Sequence, residues 1–167
     1  MSMSDPRKLF LHELQDVYYA EQQILRKLPV LIDEAEDREL AGGLKKHLGE
    51  TKQQVQNLEK VFQELGEQAQ GEKCPGIDGI AAEHDQFMRE EKPSAEVRDM
   101  FLTGAAARTE HYEIAAYTGL VSMARGLGER SCVDLLQENL KQEKEALKTV
   151  ESIGRRMARE AKQLATA

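Results

Sequence analysis

The stretch GEKCPGIDGIAAEHDQFMREE, residues 71–91, lies between two pairs of long helical patterns and decides how those helices connect. Its glycines and proline predict a loop, and the segment IAAEHDQFMRE within it indicates one short helix. The whole connection, about residues 67–92, is much longer than the turns of bundles whose loops are all short. The sequence therefore predicts a crossover at this point.

Four long segments on either side of the crossover carry apolar residues at helical spacing. They cover about residues 5–36, 38–65, 95–124 and 129–162. Few residues separate the first from the second or the third from the fourth, so each pair is predicted to form an antiparallel hairpin. Two hairpins joined by one long crossover are typical of a ferritin-like antiparallel four-helix bundle. We therefore predict an all-α fold in a single domain, residues 1–167, with a polar C-terminal tail over about 155–167.

Local signals mark several of the helix boundaries. Asp5 followed by Pro6 predicts the start of the first helix, and Ser94 predicts the start of the third. Gly66 predicts the end of the second helix. Pro29 lies inside the first segment and is expected to kink that helix or shift its packing locally.

Composition excludes several classes of function. The net charge of −7 over 167 residues argues against nucleic-acid binding by phosphate neutralisation. No apolar leader or membrane span is found, so we expect a soluble, cytoplasmic protein. The two cysteines, Cys74 and Cys132, are too few for a disulfide framework and lack zinc-site spacing, which favours a reducing compartment.

Acidic residues interrupt the apolar rows of three helices near their midpoints. The row 11, 14, 18, 21, 25, 28, 32 includes Glu21, and the row 102, 106, 110, 113, 117, 120 includes Glu110 and Glu113. The row 136, 140, 143, 147, 150 includes Glu143. In an antiparallel bundle these positions meet at one level, so we expect the four glutamates to face each other.

The second helix allows two inner rows. The row 40, 44, 47, 51, 54, 58 includes His47, Thr51 and Gln54, whereas 43, 47, 50, 54, 58 admits Glu50. His47, Glu50 and Gln54 could share one face. His12 and His84 are expected on the surface.

Several buried carboxylates are expensive to ionise together, and a pair of divalent metal ions offsets that cost. Carboxylates with few imidazoles suit iron or manganese. Two-metal bundles use a Glu-x-x-His on two of their helices, but here Glu50 and Glu143 are followed three positions on by Gln and Ala. His47 and His111 could each bind the metal or hydrogen-bond a ligand. The alternative is a set of protonated or ion-paired acids.

Five stretches carry a resemblance to a known family. They are LFLHELQDVYYAEQQIL (9–25), HLGETKQQVQNLEKVF (47–62), EKCPGIDGIAAE (72–83), EHYEIAAYTGL (110–120) and LLQENLKQEK (135–144). Through them the sequence resembles the ferritin-like stress-protein family of bacterial YciF and YciE. The stretches touch all four long helices and the crossover, so the resemblance covers nearly the whole chain.

The resemblance implies a rubrerythrin-like or bacterioferritin-like bundle that forms a homodimer and takes part in bacterial stress responses. It also implies a dinuclear iron or manganese site on Glu21, Glu50, Glu110, Glu113 and Glu143. The Glu-x-x-Glu of the third helix is similar to the rubrerythrin arrangement. The chain departs from rubrerythrin because it has no four-cysteine electron-delivery module, and from many relatives because Gln142 precedes Glu143.

Two classes of function follow from these observations. One is a redox metalloprotein whose metal pair oxidises ferrous iron or consumes peroxide. The other is a non-catalytic, dimeric helical stress protein whose core retains acids without turnover. The sequence identifies no redox partner for the first.

Overall fold

Five helices make up the part of the chain that the computed structural model describes, residues 3–165. They are α1 (Pro6–Glu34), α2 (Arg38–Glu64), α3 (Pro75–Glu91), α4 (Ala95–Leu127) and α5 (Arg130–Ala165). No strand occurs among these residues, which confirms the all-α prediction. The pairs α1–α2 and α4–α5 form the two hairpins, α2 packs on α5, and α1 packs on α4. The crossover carries α3, which lies against α1 and α4.

Side-chain caps begin three of the helices. Asp5, Asp37 and Ser94 each accept a hydrogen bond from a backbone N–H in the first turn of α1, α2 and α4. Gly128 has φ of 78° and ends α4 in the left-handed conformation that glycine adopts without strain. Pro29 lies inside α1, which continues through it as one helix.

The crossover helix begins earlier than its glycines predicted. α3 starts at Pro75, and Gly76 within its first turn lies against Tyr112 of α4. A Cβ atom at position 76 would stand 2.9 Å from Cε2 of Tyr112. Gly76 is therefore explained by the close approach of two helices, whereas its occurrence alone had indicated a loop.

The segment predicted as a polar tail is helical as far as the structure describes it. α5 continues to Ala165, Met157 is buried, and residues 166–167 lie outside the described part of the chain. The Arg156 guanidinium lies 2.7 Å from Oδ2 of Asp37 and 3.0 Å from Oε2 of Glu39. The first turn of the segment is thus held against the start of α2.

The turn between α1 and α2 is held by a buried carboxylate from α4. Oδ1 of Asp99 accepts the backbone N–H of Glu36 at 3.1 Å, and Oδ2 accepts that of Asp37 at 2.8 Å. Asp99 is 6% exposed. One side chain therefore satisfies two backbone donors and ties the two hairpins together.

Buried apolar side chains form two separate clusters along the bundle. The first contains Phe10, Leu14, Val17, Tyr18, Leu58, Val61, Phe62, Leu65, Tyr117, Leu120, Val121, Ala124, Cys132 and Leu136. The second contains Ala20, Ile24, Leu28, Leu40, Leu44, Cys74, Ile77, Leu102, Ile153 and Met157. Between them all four long helices contribute buried polar residues, which we call the polar layer: Glu21, His47, Thr51, Gln54, Asn57, Glu110, Glu113, Asn139 and Glu143.

No helix within residues 3–165 combines the length and the apolar character needed to cross a lipid bilayer.

Candidate metal centre

The polar layer gathers the glutamates that interrupt the apolar rows. Glu21 comes from α1, Glu110 and Glu113 come from α4, and Glu143 comes from α5. None of the four is more than 4% exposed. The inward direction that the sequence predicted for each of them agrees with the structure.

Four side chains in this layer converge on one point. His47, Glu110, Glu113 and Glu143 each offer one atom, and these four atoms all lie within 4.8 Å of one another. Nε2 of His47 is 3.3 Å from Oε1 of Glu110. The group draws on α2, α4 and α5, and Glu21 of α1 borders it through electrostatic contact with Glu113 and Glu143.

Most polar atoms of the group have no hydrogen-bond partner. The unpaired buried atoms are Oε2 of Glu21, Oε2 of Glu110, both carboxylate oxygens of Glu113, Oε2 of Glu143 and both ring nitrogens of His47. Among the described residues, no lysine or arginine forms a salt bridge with any of these glutamates. Buried polar atoms without partners are costly, so this donor set fits a cation.

Burial shifts the acids toward their neutral forms. The pKa of Glu21 lies well above 4.5, first because of desolvation and then because of the charge on Glu143. Desolvation also raises the pKa of Glu110 and of Glu113 well above 4.5, and Glu143 adds to both effects. Burial therefore favours the protonated forms of Glu21, Glu110 and Glu113, and a bound cation would favour their ionised forms.

A chain of hydrogen bonds supports the carboxylates from one side. The hydroxyl of Tyr117 donates to Oε1 of Glu21 and accepts from the Nδ2 of Asn139 at 3.1 Å. Gln54 donates to Oε1 of Glu143. Each of these two glutamates thus has one oxygen held and one oxygen free, which orients the free oxygens toward the centre.

Two asparagines that the sequence did not single out complete this support. Asn57 donates to Oδ1 of Asn139 at 2.8 Å, and Asn139 also donates to the backbone carbonyl of Gln54 at 3.2 Å. Asn139 precedes Glu143 by four positions, and Asn57 follows Gln54 by three. Helical spacing from the inner polar residues is the signal that could have identified both.

Glu50 lies at the edge of the centre. Its Oε1 is 2.7 Å from Nζ of Lys46, and its Oε2 is 3.8 Å from Nδ1 of His47. These two neighbours, His47 first, lower the pKa of Glu50. The side chain is 16% exposed, so Glu50 is the predicted ligand that remains in contact with the surface.

Two of the histidines lie elsewhere than expected. His111 is exposed, and the structure does not bring it to the centre. His84, which was expected on the surface, is 4% exposed and lies 2.8 Å from Oε2 of Glu34. The packing of α3 against α1 buries His84, and the sequence did not predict that packing.

Comparison with known proteins identifies the family. Residues 5–163 match the family described as a domain of unknown function, DUF892. This chain belongs to the DUF892 family. It is 35% identical to protein YciF of Escherichia coli K12 over an alignment of 145 residues. This alignment covers 86% of this chain and 87% of YciF. The predicted resemblance is confirmed.

Solved structures of three similar proteins share the fold. The E. coli stress protein YciF matches with a TM-score of 0.89 and 31% identity, over 94% of this chain and 99% of that one. YcfI of Rhodopseudomonas palustris, described as a putative structural protein, matches with a TM-score of 0.87 and 40% identity, over 90% of this chain and 95% of that one. A protein from Xanthomonas campestris pv. campestris matches with a TM-score of 0.74 and 20% identity, over 98% of this chain and 100% of that one. At this identity the match shows only that the fold is shared.

Proposed function

We propose that this DUF892 protein binds iron or manganese in its polar layer and handles ferrous iron or peroxide during stress. One observation carries the proposal: three glutamates and a histidine converge on one point with unpaired buried atoms, and a fourth buried glutamate, Glu21, borders them. A donor set of carboxylate oxygens with one imidazole is suited to iron and manganese. The E. coli relative is named a stress protein, which supports the physiological setting.

The residues that would hold the metal come from all four long helices. They are Glu21, His47, Glu50, Glu110, Glu113 and Glu143. A bound redox metal would supply electron transfer to an oxidant, with open positions for it. Tyr117 and Gln54 would hold Glu21 and Glu143 in orientation, and the surrounding apolar clusters would exclude water.

Metal analysis of the full-length protein tests the proposal. The protein is purified without chelator, incubated with Fe²⁺ under anaerobic conditions or with Mn²⁺, desalted, and analysed by mass spectrometry for metal. We expect wild type to retain metal and Glu113→Gln to lose it, because Glu113 is buried with both oxygens unpaired. Peroxide-dependent change in the absorption of the iron-loaded protein then tests for activity.

Glu138→Gln is the matched control for this experiment. Glu138 lies on α5 like Glu143, but it is exposed. Its substitution changes the net charge by the same amount and should leave metal content unchanged. Equal metal content in wild type and Glu113→Gln would show that the polar layer is not the binding site.

A second candidate is a non-catalytic structural protein. The description of YcfI as a structural protein favours it, and so do the hydrogen bonds that occupy one oxygen each of Glu21 and Glu143. In this case the acids would stay protonated and serve only as buried polar groups. A wild-type protein that retains no metal after loading would support this candidate over the first.

We also propose that the protein is a cytoplasmic homodimer. Leu9 and Val30 are 41% and 43% exposed on α1, and they lie about six turns apart near one face of that helix. Cys74 and Cys132 are both buried and free, as expected in a reducing compartment. Light scattering coupled to size-exclusion chromatography tests the dimer, and a monomer or a large cage would contradict it.

A further inference from the structure

A narrow cleft between α2 and α5 leads from the surface to the polar layer. Its walls include Lys46, His47, Glu50, Glu110 and Thr149, and the other walls are apolar or glycine. The free volume in it is about 30 Å³, the space of one water molecule or one small ion. The cleft therefore connects solvent with His47 and Glu110, two of the buried residues that could bind a metal ion.

The polar side chains of this cleft form a series from outside to inside. The side chain of Lys46 is 60% exposed, that of Glu50 is 16% exposed and that of His47 is 6% exposed. Glu50 binds Lys46 with one oxygen, and its other oxygen is buried without a partner and points toward His47. Both ring nitrogens of the buried His47 also lack hydrogen-bond partners.

We propose that this cleft is the entry path of the metal ion and that Lys46 restrains entry. The inference rests on the proposed metal-binding function and adds a route and a rate-controlling residue to it. Lys46 places a positive charge at the mouth and holds one oxygen of Glu50 in an ion pair of 2.7 Å. Release of Glu50 from Lys46 provides a carboxylate that receives the cation and passes it to His47 and Glu110.

A second cleft, between α1 and α4, also reaches His47 and Glu110, but no carboxylate other than Glu110 lines it. Its other polar wall residues are Lys27, whose ammonium pairs with Asp85, and Thr109. The Thr109 hydroxyl donates to the backbone carbonyl of Ala105. A cation entering either cleft would meet an ammonium, but only the α2–α5 cleft also offers a carboxylate ahead of Glu110, which is Glu50, so it is the better route.

Substitution of Lys46 tests the restraint. Mn²⁺ uptake by the full-length metal-free protein is followed after rapid mixing by the loss of the paramagnetic resonance signal of free Mn²⁺. Because an exposed ion pair of this kind is weak, we expect Lys46→Gln to take up Mn²⁺ roughly two- to fivefold faster than wild type. Lys45→Gln is the control, because Lys45 is also exposed but does not line the cleft.

Substitution of Gly43 tests the route. A Cβ atom at Gly43 would lie 3.6 Å from Cγ2 of Thr149, so the longer side chain of Gly43→Leu would fill the cleft. A Cβ atom at Gly42 would meet nothing within 4 Å, which makes Gly42→Leu the matched control. We expect slow uptake in the first variant and wild-type uptake in the second, with equal helix content by circular dichroism.

The results separate the two proposals. Wild-type uptake rates in Lys46→Gln, or equal rates in Gly43→Leu and Gly42→Leu, would overturn the entry path while Mn²⁺ lost from Glu113→Gln still supported the metal site. A wild-type protein that takes up no Mn²⁺ would overturn both. Faster uptake in Lys46→Gln alone among the two lysine variants, with slow uptake in Gly43→Leu, would establish the path.

Discussion

The hydroxyl group of Tyr117 on α4 donates a hydrogen bond to the carboxylate of Glu21 on α1, and both side chains are fully buried. Tyr117→Phe would leave this carboxylate and the amide of Asn139 each short of a partner. We expect the metal-free variant to lose about 1–3 kcal/mol of unfolding free energy, measured by urea denaturation. Tyr18→Phe is the control, because its hydroxyl bonds to the exposed Glu59. An equal loss in both variants would contradict the special role of the buried pair.

The raised pKa values of Glu21, Glu110 and Glu113 predict how pH affects the metal-free protein. In the unfolded chain these acids titrate near 4.5. Between that value and their higher folded pKa values, the folded protein binds more protons than the unfolded chain, so the unfolding free energy falls as pH rises. We therefore expect the contribution of these groups to stability to fall as pH rises from 4.5 toward their folded pKa values, which urea denaturation across the pH range measures.

Glu113→Gln isolates this effect, because glutamine keeps the size of the side chain and cannot ionise. The variant should gain stability relative to wild type as pH rises, by about 1.4 kcal/mol for each unit by which the pKa of Glu113 is raised. Urea denaturation across the pH range measures the difference, and Glu138→Gln should follow the wild-type curve. A constant difference between wild type and Glu113→Gln at all pH values would refute the prediction.

Asp99 is predicted to be the main link between the hairpins at the α1–α2 turn. Asp99→Ala removes the two oxygens that accept the backbone N–H groups of Glu36 and Asp37, and we expect a loss of about 1–3 kcal/mol of unfolding free energy. Asp99→Asn keeps one acceptor oxygen and should lose less than Asp99→Ala. Hydrogen exchange of the Glu36 and Asp37 amides should accelerate in both variants, and unchanged exchange would argue against the link.

Two glycines of α3 should respond in opposite ways to alanine. Gly79 has no atom within 4 Å of an added Cβ, so Gly79→Ala should stabilise the protein by about 0.5–1 kcal/mol through helix propensity. In Gly76→Ala the new methyl group would press on the ring of Tyr112, whose hydroxyl contacts Cys74 and Asp16. We expect a lower melting temperature than wild type, and a melting temperature as high as that of Gly79→Ala would be the contrary result.

Periodicity was sufficient to predict the buried glutamates on α1, α4 and α5. Each of those helices has one clear apolar row, so Glu21, Glu110 and Glu143 could be located by their position in it. Helix α2 has two overlapping rows. Gln54, seven residues after His47, lies almost directly in line with it, whereas Glu50 is turned by about 60° and reaches only the edge.

The remaining features depend on packing that a single helix does not reveal. His111 follows Glu110 directly and is therefore rotated by about 100° around α4, away from the centre. His84 is buried because α3 lies against α1 and α4. Asparagine is usually a surface residue, so nothing in the sequence was a reason to place Asn57 and Asn139 inside. They are hydrogen-bond partners only because α2 packs against α5.

The polar layer also separates the apolar interior into two clusters that pack independently. The cluster around Phe62 and the cluster around Ile153 do not share side chains, and each packs at its own end of the bundle. Substitutions in different clusters should therefore have additive effects, whereas each can couple to the layer between them. A protein with this arrangement can change the shape and the surface of either end of the bundle while the residues of its polar layer stay the same.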